Sequence, residues 1–148
     1  YISEKQLMCV TVCIDCIVIW SISNGIISSI IPIQEVKIIN IDEENNSLLI
    51  GHHNTLYQYT FNGNLVRQIK FDEEITSIAL FGTGFSVFDK YIFIGFRNGS
   101  IKLCSILFET GEFSIIQEKT VTQYPISDII VDLSLFEVSI FDIRYKFQ

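Results

Sequence analysis

Short apolar runs alternate with turn-forming residues along almost the whole chain. The runs are rich in Ile, Val, Leu, Phe and Tyr, the residues between them are mostly Gly, Asn, Asp and Ser, and helical spacing of apolar positions is nearly absent. This pattern predicts an all-β chain of short antiparallel strands. The predicted strands are Leu7–Val12, Cys16–Ile22, Ile26–Ile31, Val36–Ile41, Ser47–Ile50, Thr55–Phe61, Leu65–Phe71, Ile75–Phe81, Tyr91–Phe96, Ser100–Ile106, Phe113–Glu118 and Ile126–Val131, and the alternating tail Leu135–Phe147 predicts one or two more.

Asn-Gly pairs mark the predicted hairpins. Asn24-Gly25 and Asn62-Gly63 each lie between two apolar runs, where a tight turn requires residues that tolerate positive φ. Asn98-Gly99 and Thr110-Gly111 continue the series. The segment Gly82–Lys90 contains two glycines and an aspartate, which predicts a longer surface loop.

Three segments of the chain align as repeats. Asp15–Ile22 aligns with Asn54–Phe61 and with Gly99–Ile106, and a glycine hairpin follows each of them. A repeat of about 40–45 residues with four strands per unit is typical of β-propeller blades. The predicted blades are 1–34 (partial), 35–73, 74–120 and 121–148 (partial), all in one fragment of a β-propeller domain. Because a propeller closes with about 4–8 blades, we expect further blades of the same parent chain to complete it.

The chain is apolar enough to require a buried core. Its 148 residues are 49% hydrophobic and 18% charged, which excludes a disordered tail. The run Ile17–Ile33 approaches the length of a membrane-spanning helix, but it contains Asn24-Gly25 and consists mainly of β-branched residues, so it predicts two buried strands instead. The first residues lack the features of a signal peptide. The sequence therefore predicts a cytoplasmic location without direct membrane insertion.

The net charge argues against polyanionic partners. With 17 acidic and 10 basic residues, the formal net charge is −7, which repels nucleic acids and anionic membrane surfaces. We therefore expect no nucleic-acid partner.

The cysteines do not form a recognisable metal or redox motif. Cys9, Cys13 and Cys16 lie close together in the sequence and Cys104 lies apart, which does not resemble a disulfide framework. Cys13 and Cys16 supply half of a zinc site, but a second Cys-x-x-Cys is absent. A thioredoxin-type site requires a helix after the motif, whereas a strand is predicted there. Free thiols and no cofactor are therefore expected.

Other polar residues also favour structural roles over catalysis. His52 and His53 are adjacent residues at the end of the strand that begins at Ser47, so by the alternation of strand residues their side chains are expected to point to opposite faces. The acidic clusters Asp42–Glu44 and Asp72–Glu74 are predicted to be exposed loops, one within a blade and one between blades. Phe96–Gly99 partly matches the Phe-Arg-Arg-Gly phosphoinositide motif, but its second cation is replaced by an asparagine. The chain is therefore predicted not to be an enzyme, and no catalytic, metal or binding residue is assigned.

The repeated segments resemble WD repeats. Asp15–Trp20 matches the end of that pattern, whereas Tyr59 and Cys104 replace the tryptophan in the later copies. Ser21 stands where an aspartate is usual, and the Gly-His pair that opens a typical repeat is missing. The resemblance implies a partial WD-repeat β-propeller of about three to four four-stranded antiparallel blades. Without the Asp and His network of a full repeat, these blades are expected to rely on apolar packing alone.

The order of motifs resembles more specifically the propeller that follows the BEACH domain in BEACH-domain proteins. The motifs are Val18–Trp20, Pro32–Val36, Ile41–Glu44, Thr55–Val66, Ile75–Leu80, Tyr91–Lys102 and Pro125–Ile129. That resemblance implies a cytoplasmic scaffold in membrane or vesicle trafficking whose propeller binds other proteins. The alternatives are a phosphoinositide-reading propeller and a propeller of another trafficking or coat complex.

Overall fold

The computed structural model describes residues 1–4, 7–82, 89–107, 112–132 and 137–142. These residues form strands joined by turns, and no helix occurs among them, which confirms the all-β prediction. The chain divides into two compact units, Tyr1–Phe71 (unit 1) and Asp72–Gln148 (unit 2).

Unit 1 contains two four-stranded antiparallel sheets whose strands are paired in chain order. The first sheet consists of β1 (Ile2–Ser3), β2 (Met8–Val12), β3 (Ile17–Ser21) and β4 (Ile26–Ile31), and the second of β5 (Ile38–Asp42), β6 (Ser47–His52), β7 (Thr55–Thr60) and β8 (Leu65–Lys70). The short strand β1 lies outside the predicted set.

Unit 2 contains one four-stranded sheet and one strand pair. The third sheet consists of β9 (Ile75–Gly82), β10 (Asp89–Phe96), β11 (Ser100–Leu107) and β12 (Phe113–Thr120), and the fourth of β13 (Ile126–Asp132) and β14 (Glu137–Asp142). Gly82, Asp89 and Lys90 belong to strands, so the prediction of a loop was wrong for these three residues. The rest of that loop, residues 83–88, and the turn at Thr110-Gly111 lie outside the described residues.

The apolar run Ile17–Ile33 forms two strands, as predicted, but only β3 is mainly buried. Strand β4 exposes Ile26, Ile27 and Ile30 and buries Ile31 alone, so the prediction that both strands are buried was wrong for β4. Strands β3 and β4 are separated by a turn in which Gly25 has a φ of 69°, and the amide of Ile26 donates to Asn24 Oδ1 at 3.1 Å. Among the described residues, no helix is long and apolar enough to cross a membrane.

The core of unit 1 lies between its two sheets. Ile17, Ile19 and Ile31 of the first sheet are fully buried in one cluster with residues of the second sheet such as Leu48 and Ile50. Burial of each such side chain contributes about 1.5–3 kcal/mol relative to leaving it in water. The apolar runs seen in the sequence therefore form the contact between consecutive sheets.

The outer strand β4 of the first sheet also contacts the β7–β8 turn of the second sheet. The hydroxyl of Ser29 on β4 donates to the carbonyl of Phe61 at 2.9 Å. Gly63, with a φ of 80°, follows in the β7–β8 hairpin, and a Cβ there would lie 3.1 Å from Ser29 Cβ. Glycine is thus required at this turn both for its backbone conformation and for the close approach of β4.

Polar atoms also contribute to the interior of the second sheet. The side-chain amide of Gln58 donates to Ser47 Oγ at 2.9 Å, and both residues are buried. The expectation that the blades rely on apolar packing alone was therefore wrong for this sheet, because a hydrogen bond between two buried side chains joins adjacent strands.

All three four-stranded sheets carry a β-bulge between their third and fourth strands. In each case the register shifts immediately before the residue that the repeat alignment places at the tryptophan position: Trp20, Tyr59 and Cys104. The extra residues on the fourth strands are Ser28, Val66 and Ile116, all exposed. A shared bulge supports the alignment of the three repeats, and it twists the outer strand so that it pairs less readily with another chain.

Candidate interaction surface

Each four-stranded sheet is fixed at one end by the same backbone contact. The turn between its second and third strands accepts a hydrogen bond from the segment that follows its fourth strand, and we call this turn and segment the turn end of the sheet. The donor and acceptor pairs are Glu35 N with Ile14 O at 2.9 Å, Phe71 N with Asn54 O at 2.8 Å, and Val121 N with Gly99 O at 3.1 Å. The turns are thereby held in defined positions at the ends of the sheets.

Ile14 is the most exposed large apolar side chain at these turn ends. It lies in the two-residue turn between β2 and β3 and is 86% exposed, whereas Ile2, the next among the described large apolar residues, is 64% exposed. The carbonyl of Ile14 is bound by the amide of Glu35, so the turn that carries it is restrained. A restrained apolar side chain in water is a suitable contact for another protein, because its burial is favourable and little order is lost. In the sequence, the position of Ile14 in the middle of a short turn was the only indication that its side chain is exposed.

His52 and His53 form one cluster, contrary to the prediction that their rings point apart. His52 ends β6, but His53 lies in the turn with a φ of 51°, so the alternation of a strand no longer applies. Their ring centroids are 4.3 Å apart and the ring planes are inclined by 46°. Partial burial lowers the pKa of His52, and His53 lowers it further, while the Glu35 carboxylate acts in the opposite direction.

Each of the two turn ends of unit 1 contains a residue with a strained backbone. Glu35 has a φ of 52°, and His53 has a φ of 51°, conformations that side chains other than glycine adopt at a cost of about 1–3 kcal/mol. Glu35 binds the Ile14 carbonyl through its amide and acts on His52 through its charge. Glu35 therefore couples the turn ends of the first and second sheets, and we take their residues Ile14, Asp15, Glu35, His52 and His53 as the candidate interaction surface.

The cysteines do not assemble a metal site. Among the described residues, no group of three or more His, Cys, Asp or Glu side chains could hold a metal ion. All four cysteines are free thiols. Cys104 is buried on β11, and burial raises the pKa of its thiol to about 12.

The two acidic clusters occupy the predicted gaps but differ in exposure. Asp42 is buried and accepts hydrogen bonds from the amide of Asn45 at 3.2 Å and from its side chain at 2.8 Å. The prediction of an exposed loop was therefore wrong for Asp42, which closes the β5–β6 turn. In the other cluster, Asp72 and Glu73 are exposed as predicted.

The turn end of the third sheet contains an ion pair. Glu74 Oε2 lies 2.6 Å from Arg97 Nη1, and the amide of Arg97 donates to the carbonyl of Glu74. Gly99 completes the turn with a φ of 81°, and a Cβ there would lie 2.0 Å from the carbonyl oxygen of Thr122. The cation of the partial phosphoinositide motif is therefore paired with a carboxylate of its own unit.

Comparison with known proteins identifies the fold. No family model and no curated protein matches the chain. The computationally designed protein Ika4 is 17% identical with a TM-score of 0.67, and the match covers 95% of this chain and 87% of Ika4. The WD40 domain of SCAP from fission yeast is 16% identical with a TM-score of 0.65, over 96% of this chain and 38% of that one. The β-propeller domain of Cps50 (Swd1) from Myceliophteria thermophila is 11% identical with a TM-score of 0.56, over 97% and 61% respectively.

These likenesses establish the fold as that of a WD40-type β-propeller with four-stranded antiparallel blades, as predicted. The chain spans 38% of the matched SCAP chain and 61% of the Cps50 chain.

Proposed function

We propose that this chain is part of a non-catalytic protein-interaction scaffold that binds its partner through the turn ends of the first and second sheets. The observation that carries the proposal is Ile14, which is 86% exposed on a turn fixed by the Glu35 amide. The adjacent Asp15 and Glu35 carboxylates are exposed and would favour a partner with basic residues around the apolar contact.

The parent protein is, on this proposal, a cytoplasmic BEACH-type scaffold in membrane or vesicle trafficking. The support is the order of blade motifs along the sequence, from Val18–Trp20 to Pro125–Ile129, together with the WD40-type fold of the neighbouring structures. Other proteins are its ligands, and the remaining blades of the same parent chain are its structural partners.

A phosphoinositide-reading propeller is the alternative class of function. The observation that bears on it is the ion pair between Arg97 and Glu74, because a cation already paired with a carboxylate binds an anionic head group less well. Vesicles with and without a phosphatidylinositol phosphate distinguish the two functions. We expect equal retention of the protein on both, and a clear preference for the phosphoinositide vesicles would favour the alternative.

Site-specific photo-crosslinking in the full-length protein tests the proposed surface. A photoreactive residue is placed at position 14 or, as the control, at position 22, and crosslinked proteins are quantified by mass spectrometry. Ile22 is a suitable control because it is 48% exposed and lies in the turn at the opposite end of the same sheet. We expect a defined set of proteins to crosslink from position 14 and not from position 22.

The affinity of a crosslinked protein then measures the contribution of Ile14. Burial of an isoleucine contributes about 1.5–3 kcal/mol, which corresponds to roughly 10- to 100-fold in affinity. Ile14→Ala should lower the affinity within that range, whereas Ile22→Ala should change it less than about twofold. Identical crosslinking from both positions, or equal affinities of the two variants, would remove the support for this surface.

A further inference from the structure

Cys13 and Cys16 lie directly opposite each other across the β2–β3 turn. Val12 pairs with Ile17, so extension of the register by one residue pairs the two cysteines, and the Cys13 amide donates to the Cys16 carbonyl at 2.8 Å. The Cα atoms of a hydrogen-bonded antiparallel pair lie about 5.5 Å apart. A disulfide spans Cα separations of about 4.4–6.8 Å, so the backbone spacing of such a pair lies within the range that a bridge requires.

The two cysteines are accessible from the solvent, because neither residue is buried. They also interact electrostatically, since Cys13 raises the pKa of the Cys16 thiol. The other cysteines are less suitable partners. Cys9 lies four residues before Cys13 on the same extended segment, a distance of about 13 Å, and Cys104 is buried in unit 2.

We propose that Cys13 and Cys16 form a reversible dithiol–disulfide pair that small-molecule disulfides such as oxidised glutathione convert. One cysteine thiolate attacks a sulfur of oxidised glutathione, which forms a mixed disulfide and releases one glutathione thiolate. The second cysteine thiolate then attacks the protein sulfur of that mixed disulfide and displaces the other glutathione. The pair loses two protons and two electrons, and the oxidised glutathione becomes two glutathione thiols.

The surroundings of Cys16 control how fast this conversion occurs. Partial burial raises the pKa of the Cys16 thiol, and the Asp15 carboxylate raises it further through its charge and a hydrogen bond. The thiolate is the reacting form, so oxidation is slow near neutral pH and accelerates as the pH rises. Because Ile14 and Asp15 are the residues between the two cysteines, the bridge closes the turn that carries Ile14. The redox chemistry is independent of the proposed binding role of Ile14.

The experiment measures which cysteines become bridged in the full-length protein. The protein is equilibrated with mixtures of reduced and oxidised glutathione, quenched with acid, alkylated and cleaved before aspartate residues. Cleavage between Ile14 and Asp15 places Cys13 and Cys16 on different fragments, so a bridge between them appears as two linked fragments. Reduction after alkylation should separate the fragments.

We expect the linked fragments to accumulate in the wild-type protein and in Cys9→Ser, and to be lost in Cys13→Ser, which should instead retain glutathione at Cys16. Full alkylation of Cys13 and Cys16 under oxidising conditions would overturn the proposal, as would mixed glutathione disulfides without a bridge. A bridge that contains Cys9 and disappears in Cys9→Ser would overturn it as well. The proposed binding surface is not affected by any of these outcomes, because crosslinking from position 14 is measured separately.

Discussion

Gly95 is the position in unit 2 where a single added methyl group should have the largest effect. It lies on β10, and a Cβ there would be 2.3 Å from Ser77 Oγ and 2.7 Å from both Cβ and Cγ2 of Ile126 on β13. The φ of Gly95 is not in the left-handed region. In Gly95→Ala the backbone conformation is therefore acceptable, and any destabilisation must come from packing between the third and fourth sheets.

The expected loss combines two opposing effects. Alanine is intrinsically favoured over glycine in a strand by about 0.5–1 kcal/mol. Insertion of a methyl group into a tightly packed interior costs about 1–3 kcal/mol. The contacts of the added methyl group with Ser77 and Ile126 are so short that we expect a cost at the upper end of this range. We expect Gly95→Ala to lower the free energy of unfolding of unit 2 by about 2 kcal/mol.

The measurement must report on unit 2. The chain has one tryptophan, Trp20 in unit 1, so its fluorescence does not report on β10 or β13. Urea unfolding followed by circular dichroism, combined with amide hydrogen exchange of β10 and β13, gives the required free energy. Gly25→Ala is the matched control, because a Cβ there has no atom within 4 Å, while its φ of 69° still disfavours alanine.

A double-mutant cycle separates the steric cause from a general loss of packing. Ile126→Ala removes one of the contacted methyl groups, so Gly95→Ala should cost about 1 kcal/mol less in that background than in the wild type. Faster exchange should be confined to unit 2 in Gly95→Ala and to unit 1 in Gly25→Ala. Equal costs of Gly95→Ala in both backgrounds, or no cost at all, would refute the steric reasoning.

Three further predictions concern polar and titratable groups. Asp42→Ala should lower the free energy of unfolding by about 1–3 kcal/mol in urea titrations, because it removes the acceptor for both hydrogen bonds of Asn45. Asp42→Asn should cost less, and equal costs of the two substitutions would contradict this role of Asp42. Glu74→Gln should cost less than about 1 kcal/mol in thermal unfolding, because the ion pair with Arg97 is exposed to solvent, and the difference should shrink in high salt. The Cys104 thiol is neutral in the fold with its pKa raised from 9.0 to about 12, so its contribution to stability is present below pH 9 and is lost as the pH rises toward 12. Alkylation at pH 8 should accordingly modify Cys104 only after unfolding, and rapid labelling of the folded protein would contradict its burial.

The strand pattern and the tight turns could be predicted from the sequence because they depend on local chemistry. Apolar runs of five to eight residues end at Asn-Gly pairs, and the structure places Gly25, Gly63 and Gly99 at turns with positive φ. The repeat alignment also held, because each third strand carries its bulge before the same aligned position. The short strand β1 was missed, since Ile2 and Ser3 are too few for a periodic signal.

The candidate surface could be predicted only in part from the sequence. Strand alternation predicted that His52 and His53 point apart, but the positive φ of His53 ends the strand one residue earlier and brings the rings together. Asp42 was predicted to lie in an exposed loop. It is buried instead, and its carboxylate accepts hydrogen bonds from the backbone and side-chain amides of Asn45. In both cases the backbone conformation at a turn determined the position of the side chain, and composition does not reveal that conformation.

The sequence by itself determined the fold class, the number of strands in the repeated units and the position of most turns, because hydrophobic periodicity and turn chemistry act over a few residues. Only the tertiary structure decided which turns meet. The contact between Glu35 and Ile14 joins residues from different connections, and the close approach of Gly95 to Ile126 joins different sheets. Such contacts depend on how strands twist and sheets pack. This is why the exposure of Ile14 and the position of Cys13 opposite Cys16 were recognised only in the structure.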